Sequence, residues 1–155
     1  MFSKLLPQSV DNKYTGSKLA LWLFAVVVAV KSFQSVLIIF NGSYVLKGAD
    51  GVPLDTYTQA GAQAVISIWA LASLNRLIIC SLCALVLVRY RSLITLMFSV
   101  LAVQYLASEA IFRVIPIVRT GTPPAFLVNF MLFVVTIVGL LLSIWVAGGL
   151  RPPRG

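Results

Sequence analysis

Histidine is absent from this 155-residue chain, and its only acids are Asp11, Asp50, Asp55 and Glu109. Without histidine there is no His-ligated haem, no His-based zinc centre and no imidazole acid/base chemistry. The three aspartates fall in the N-terminal tail or in one long link, too dispersed for a hard-cation cage. No metal, no cofactor and no catalytic residue is therefore expected. Charge of either sign is scarce: 10% of residues are charged, 60% are hydrophobic, and the mean hydropathy is +1.01. That composition lies far outside the range of a soluble domain and makes the bilayer the solvent.

What is present is four long apolar stretches, at about 19–40, 60–88, 93–118 and 125–147. A hydrocarbon core about 30 Å thick takes roughly 20 residues per helical crossing, so each stretch is long enough to span. The first is too long for the h-region of a signal peptide and ends at Asn41-Gly42-Ser43 without a small-x-small processing pattern, so it is expected to remain as helix one. The expected fold is all-α: an integral membrane four-helix bundle of residues 18–150 with antiparallel up-down topology. Short tails, 1–17 and 151–155, flank it.

The basic excess of +8 sits at membrane edges. With the N-terminus cytoplasmic, Lys4, Lys13, Lys18, Arg89, Arg91, Arg151 and Arg154 lie inside, and only Lys47 and Arg119 outside. The positive-inside rule then puts both termini in the cytoplasm, and the expected location is a bacterial inner (plasma) membrane. No dense Lys/Arg run interleaved with aromatics is present, so the charge is assigned to topology and anionic lipid, with no nucleic acid partner. Trp22, Tyr90 and Trp145 fall at the inner interface and Tyr44 and Tyr57 at the outer one, as belt residues do.

The links carry turn chemistry. Asn41 to Thr58 holds three glycines and Pro53, with Asp55 or Thr56 expected to cap the second helix. The link from Val88 to Ser92 is tight enough to force a helical hairpin. In the last link Thr122 is the expected N-cap and Pro123 the first helical residue of helix four.

Lys31, Gln34, Asn75, Arg76, Gln104, Glu109, Arg113 and Asn129 are polar residues inside the spans. Each charge at mid-membrane costs roughly 2.5 to 3.5 kcal/mol on insertion scales, so such residues are expected to converge on a bundle interior and find partners there. Counting rise per residue puts Lys31 and Arg76 nearly level, about 20 Å from the inner face, with Glu109 about 26 Å up and Arg113 one turn higher. Tyr105, Glu109 and Arg113 are successive i+4 neighbours, which lets the last two pair along one helix. Trp69, Ser73, Arg76, Cys80 and Cys83 form one stripe on helix two, with Trp69 well inside the span and expected to pack. On helix four Gly139, Ser143 and Ala147 are small residues at i+4 steps that permit close approach, with Asn129 and Thr136 on the same side.

Lys31, Arg76 and Arg113 against Glu109 leave two positive charges in excess, which an anion would balance: a lipid phosphate, a substrate carboxylate or an acid of a partner subunit. The competing reading is a purely structural network, with Glu109 satisfying Arg113 and Lys31. Cys80-Ser81-Leu82-Cys83 is a CxxC, and in a four-helix membrane bundle it resembles the quinone-linked disulfide oxidoreductases of the DsbB and VKOR families. Those families keep the pair toward the outer face and relay electrons through further cysteines, whereas this pair lies nearer the cytoplasmic side and stands alone. The four-span layout with Gly51-Val52-Pro53 in the first outer loop also resembles DoxX-like membrane proteins, without their first-helix signature.

The leading expectation is a non-enzymatic accessory or interaction subunit whose cationic pocket, in the outer half of the bilayer, engages an anionic lipid head group or a partner subunit, the partner being another membrane protein or a second copy. An oligomeric small transporter of organic anions comes second and a thiol/quinone redox protein third.

Overall fold

The structure, a computed structural model, describes residues 11, 12, 14 and 16–149, with side chains as far as Trp145. Among the described residues it is all-helical, with no strand. Four helices carry it: α1 (Lys18–Gly48), α2 (Gln59–Arg89), α3 (Ile94–Val114) and α4 (Pro124–Gly149). All four are long and apolar enough to cross a membrane.

The boundaries differ from the sequence expectation where local signals competed with packing. α1 does not stop at Phe40. Asn41 leaves helical geometry (φ −130°, ψ 37°), yet the helix resumes and runs to Gly48. The continuation buries Leu46 completely and brings Gly42 so close to α2 that an added Cβ would meet Ile66 Cγ2 at 3.0 Å. Burial of a leucine side chain, worth about 1.5–3 kcal/mol, outweighs one kinked residue. α3 ends at Val114, short of Val118, because Pro116 lacks an N–H and pushes the preceding Ile115 out of the helical region (φ −124°, ψ 79°). Thr58, not Asp55 or Thr56, caps α2, accepting a hydrogen bond from the Gly61 amide at 3.2 Å. Asp55 instead pairs with Lys47 at 2.6 Å, and the first helical proline of α4 is Pro124.

Around the bundle the helices run in the order α2, α1, α4, α3: α1 packs along α2 and against α4, and α4 packs in turn against α3. α2 and α3 are joined by a short turn but meet only sparsely along their lengths. The main core lies toward one end, built from Ala20, Phe24, Val27 and Val28 of α1, Cys80, Cys83 and Val86 of α2, Ile94, Phe98 and Leu101 of α3, and Leu132 of α4. A second core lies toward the other end, where Ile38, Leu46, Val52 and Leu54 gather Val65, Ile66, Trp69 and Ile117. It holds no residue of α3 or α4. From Leu106 to Val114 every α3 residue is exposed.

Both ends are tied. At the second core the Thr120 amide donates to the Gly51 carbonyl (2.8 Å) and the Ala125 amide to the Ala49 carbonyl (3.1 Å), so the α1–α2 and α3–α4 links are stitched together. Gly51 takes φ +68° there, a left-handed geometry that a side chain resists, and a Cβ would also press on the Thr120 carbonyl. At the main core the Asp11 amide donates to Ser92 Oγ (3.1 Å), Ser92 Oγ donates back to the Asp11 carbonyl (2.9 Å), and the Tyr14 hydroxyl donates to Ser143 Oγ (3.2 Å).

Candidate functional site: a cationic cluster between two cores

The buried face of α1 reads Phe24, Val27, Val28, Lys31, Ser35, Ile38, so helical spacing carries Lys31 into the bundle between the two apolar cores. Only 8% of Lys31 remains exposed. Its Nζ lies 3.4 Å from Asn129 Oδ1 of α4 and 4.0 Å from the centroid of the Tyr105 ring of α3. A desolvated ammonium over an aromatic face gains about 2 kcal/mol, and the hydrogen bond to Asn129 is long. Together they fall short of the several kcal/mol that desolvating one ion costs.

Arg76, half-buried, joins from α2, on the stripe that buries Ser73, Cys80 and Cys83. Its guanidinium is close enough to Lys31 for the two charges to repel. Among the described residues neither cation forms an ion pair; the two ion pairs are Lys47 with Asp55 and Arg113 with Glu109. Two further polar atoms, Gln34 Oε1 one turn along α1 and the Tyr105 hydroxyl, are buried without a hydrogen-bond partner in the structure. Of these two the Tyr105 hydroxyl can donate to an anion, whereas Gln34 Oε1 only accepts, so what the site offers an anion is two cations and one free hydroxyl.

The structure gathers Lys31, Arg76, Asn129 and Tyr105, with Gln34 beside them, and places the remaining candidates elsewhere. Glu109 and Arg113 pair with each other at 3.1 Å, as the i+4 spacing implies, but stay 53% and 78% exposed. Glu109 follows Tyr105 on the same helical strip, yet it lies on the exposed C-terminal part of α3, so it does not reach Lys31. Asn75 is exposed because it sits one position, about 100°, off the buried stripe of α2. Gln104 is half-buried beside Tyr105, and Trp69 packs on the second core. Gly139 lies under the Phe98 ring, which a Cβ would overlap, and Ser143 is buried with Thr95 and Tyr14 as hydroxyl partners. The Ala147 side chain lies outside the described residues. Cys80 and Cys83 are free, buried thiols in a continuous helix.

Asp50 is the residue that sequence reasoning passed over. It stands in the α1–α2 link, yet only 8% of it is exposed. Burial raises its carboxyl above the ordinary carboxylate range, and the positive charges of Arg119 and Arg76 pull it back down. Asp50 is thus the acid whose field meets the cationic cluster, the part assigned from sequence to Glu109. The neighbouring Gly51 was the available signal, since a turn glycine there lets two links close over the preceding side chain. Among the described residues no group of side chains suits a metal ion.

Comparison with protein-family models, with characterised proteins and with solved structures finds no match to this chain.

Proposed function

We propose that this protein is a non-enzymatic accessory or interaction subunit of a bacterial inner membrane whose Lys31–Arg76 site holds an anion, supplied by a lipid head group or by a carboxylate of a partner subunit. The observation that carries this reading is a lysine 8% exposed inside the bundle, beside an arginine and without a carboxylate partner among the described residues. A structural network would have brought Glu109 to these cations; instead the cluster keeps its positive excess. In the same reading the bundle is up-down with both termini cytoplasmic. The link-to-link ties at one end, and the Asp11–Ser92 and Tyr14–Ser143 bonds at the other, support it together with the inner bias of Lys and Arg.

Two experiments test it. In a chain carrying Cys80→Ser and Cys83→Ser, single cysteines introduced at Lys47 and at Arg91 should react with an impermeant thiol reagent from the periplasmic and cytoplasmic sides respectively; the reverse pattern refutes the orientation. For the site, native mass spectrometry of the protein extracted in mild detergent should detect a retained anionic lipid or an acidic protein partner. Arg76→Gln should reduce that retention about tenfold or more, because it removes a half-buried, charge-assisted contact. Glu109→Gln, which breaks only an exposed pair with Arg113, should leave it unchanged. Equal retention in all three proteins refutes the site. An oligomeric transporter of organic anions is the second reading, favoured by the sparse contact of α2 with α3 and the uncovered outer half of α3.

A further inference from the structure

Above the Lys31–Arg76 cluster the chain places one buried acid. Asp50 follows the end of α1, and its two neighbours are the residues through which the links are tied: the Ala49 carbonyl accepts from the Ala125 amide, and the Gly51 carbonyl accepts from the Thr120 amide and hydroxyl. The stitched links bury its side chain at 8% exposure, although an aspartate in a loop ordinarily faces water. Its carboxylate makes no hydrogen bond or ion pair among the described residues, and the charges that face it are Arg119 of the α3–α4 link and Arg76 of α2. The other charged groups near it, Lys47 in the last turn of α1 and Asp55 of the same link, are exposed and satisfied by each other. Lys31, Arg76, Asp50 and Arg119 therefore form a ladder from the interior to the link end of the bundle, each acting on the next.

We propose that Asp50 is the resident counter-ion of the cationic site, so that an anion binds at Arg76 and Lys31 in competition with the Asp50 carboxylate. The proposal rests on the anion-binding reading and adds the residue that sets its affinity. With Asp50 ionised the ladder carries three positive charges and one negative; with Asp50 neutral the opposing charge is gone and an incoming anion meets the full field of Arg76. Burial favours the neutral carboxyl, so protonation begins above the ordinary carboxylate range and anion affinity should rise as pH falls. The chemistry recognised is a phosphate or sulfate oxyanion, available from a lipid head group or from solution.

Binding to the full chain in detergent is measured with two ligands whose own charge is constant between pH 5 and 7.5: inorganic sulfate and short-chain phosphatidylglycerol. For the unmodified protein, affinity for at least one should rise as pH falls from 7.5 to 5, toward the roughly tenfold effect of removing one nearby unit charge at intermediate dielectric. Preference for phosphatidylglycerol identifies the lipid as the source, and equal affinity a free oxyanion. Asp50→Asn should bind more tightly than the unmodified protein at pH 7.5, by up to about tenfold, and lose most of the pH dependence; Asp50→Ser, checked for helicity and monodispersity, should do the same. Binding that is lost in Arg76→Gln but is unaltered by either Asp50 variant overturns the counter-ion role alone. Binding of neither ligand by any form at either pH overturns the anion site and the counter-ion with it.

Discussion

Gly139→Leu should abolish the native bundle, and Gly139→Ala should weaken it measurably. A Cβ on residue 139 already overlaps the Phe98 ring, and that ring has nowhere to go: Phe98 is fully buried and stands edge-on to Phe24, centroids 4.9 Å apart at 69°. Relief requires either moving Phe98 out of a core shared with Ile94 and Leu101 or lifting α4 away from α3. Overpacking a well-filled core typically costs about 1–3 kcal/mol, and a branched side chain driven into an aromatic ring lies at or beyond the upper end. The same α4 stripe supplies Thr136 and Ser143, so a shift of α4 also disturbs the Ser143 contacts with Thr95 and Tyr14. Size-exclusion recovery after heating in detergent is the readout, with Gly139→Ala intermediate between the parent and Gly139→Leu. Combining Gly139→Leu with Phe98→Ala should recover part of the loss, because the ring is the obstacle; no recovery would place the close contact elsewhere.

Small residues at i+4 steps in an apolar helix read as close backbone approach, and at Gly139 the space left by the missing side chain is taken by the Phe98 ring. The four spans were legible for a similar reason: apolar length is a property of each segment alone. Segment-level signals failed wherever a neighbour decided the outcome. Asn41-Gly42-Ser43 reads as a helix end, but the α2 surface at Ile66 rewards continuation through a kink. Pro116 is the opposite case, a local stop signal inside an apolar stretch that hydropathy alone passes over and the backbone obeys.

The polar set separates along the same line. Stripe logic identified Arg76 with Ser73, Cys80 and Cys83 because those positions share one face of one helix. It gave Glu109 the same status as Tyr105, since both lie on one strip of α3, but a strip faces the interior only as far as neighbouring helices extend beside it. α3 loses its neighbours after Tyr105, so the tyrosine contacts Lys31 and the glutamate does not. Asp50 is the converse: a polar residue in a link becomes buried only when a distant link, through Thr120 and Ala125, closes on it. Nothing in its local sequence beyond the glycine at its side encodes that closure.

Lys31→Met should move stability and binding in opposite directions. The ammonium is desolvated, repelled by Arg76, and compensated only by the long contact to Asn129 and the face of Tyr105. Replacing a buried ionic group by an apolar side chain of similar length is often neutral or stabilising by about 1–4 kcal/mol, since the cost of desolvating the ion disappears. What Lys31→Met forfeits is a weak hydrogen bond and a cation–π contact of about 2 kcal/mol at most. Methionine retains favourable contact with the Tyr105 ring through its sulfur, so the aromatic wall is not left bare. Thermal unfolding of the lipid-depleted protein in detergent should therefore be unchanged or shifted upward, while retained anion falls by about tenfold or more. Lys31→Arg keeps the charge and should keep most of the binding. On the anion-binding proposal, a buried cation held at the expense of stability is the stability–function trade expected at a binding site. If Lys31→Met instead lowers stability and binding together, Lys31 is a structural partner of Asn129 and Tyr105, and the anion must be held by Arg76 alone.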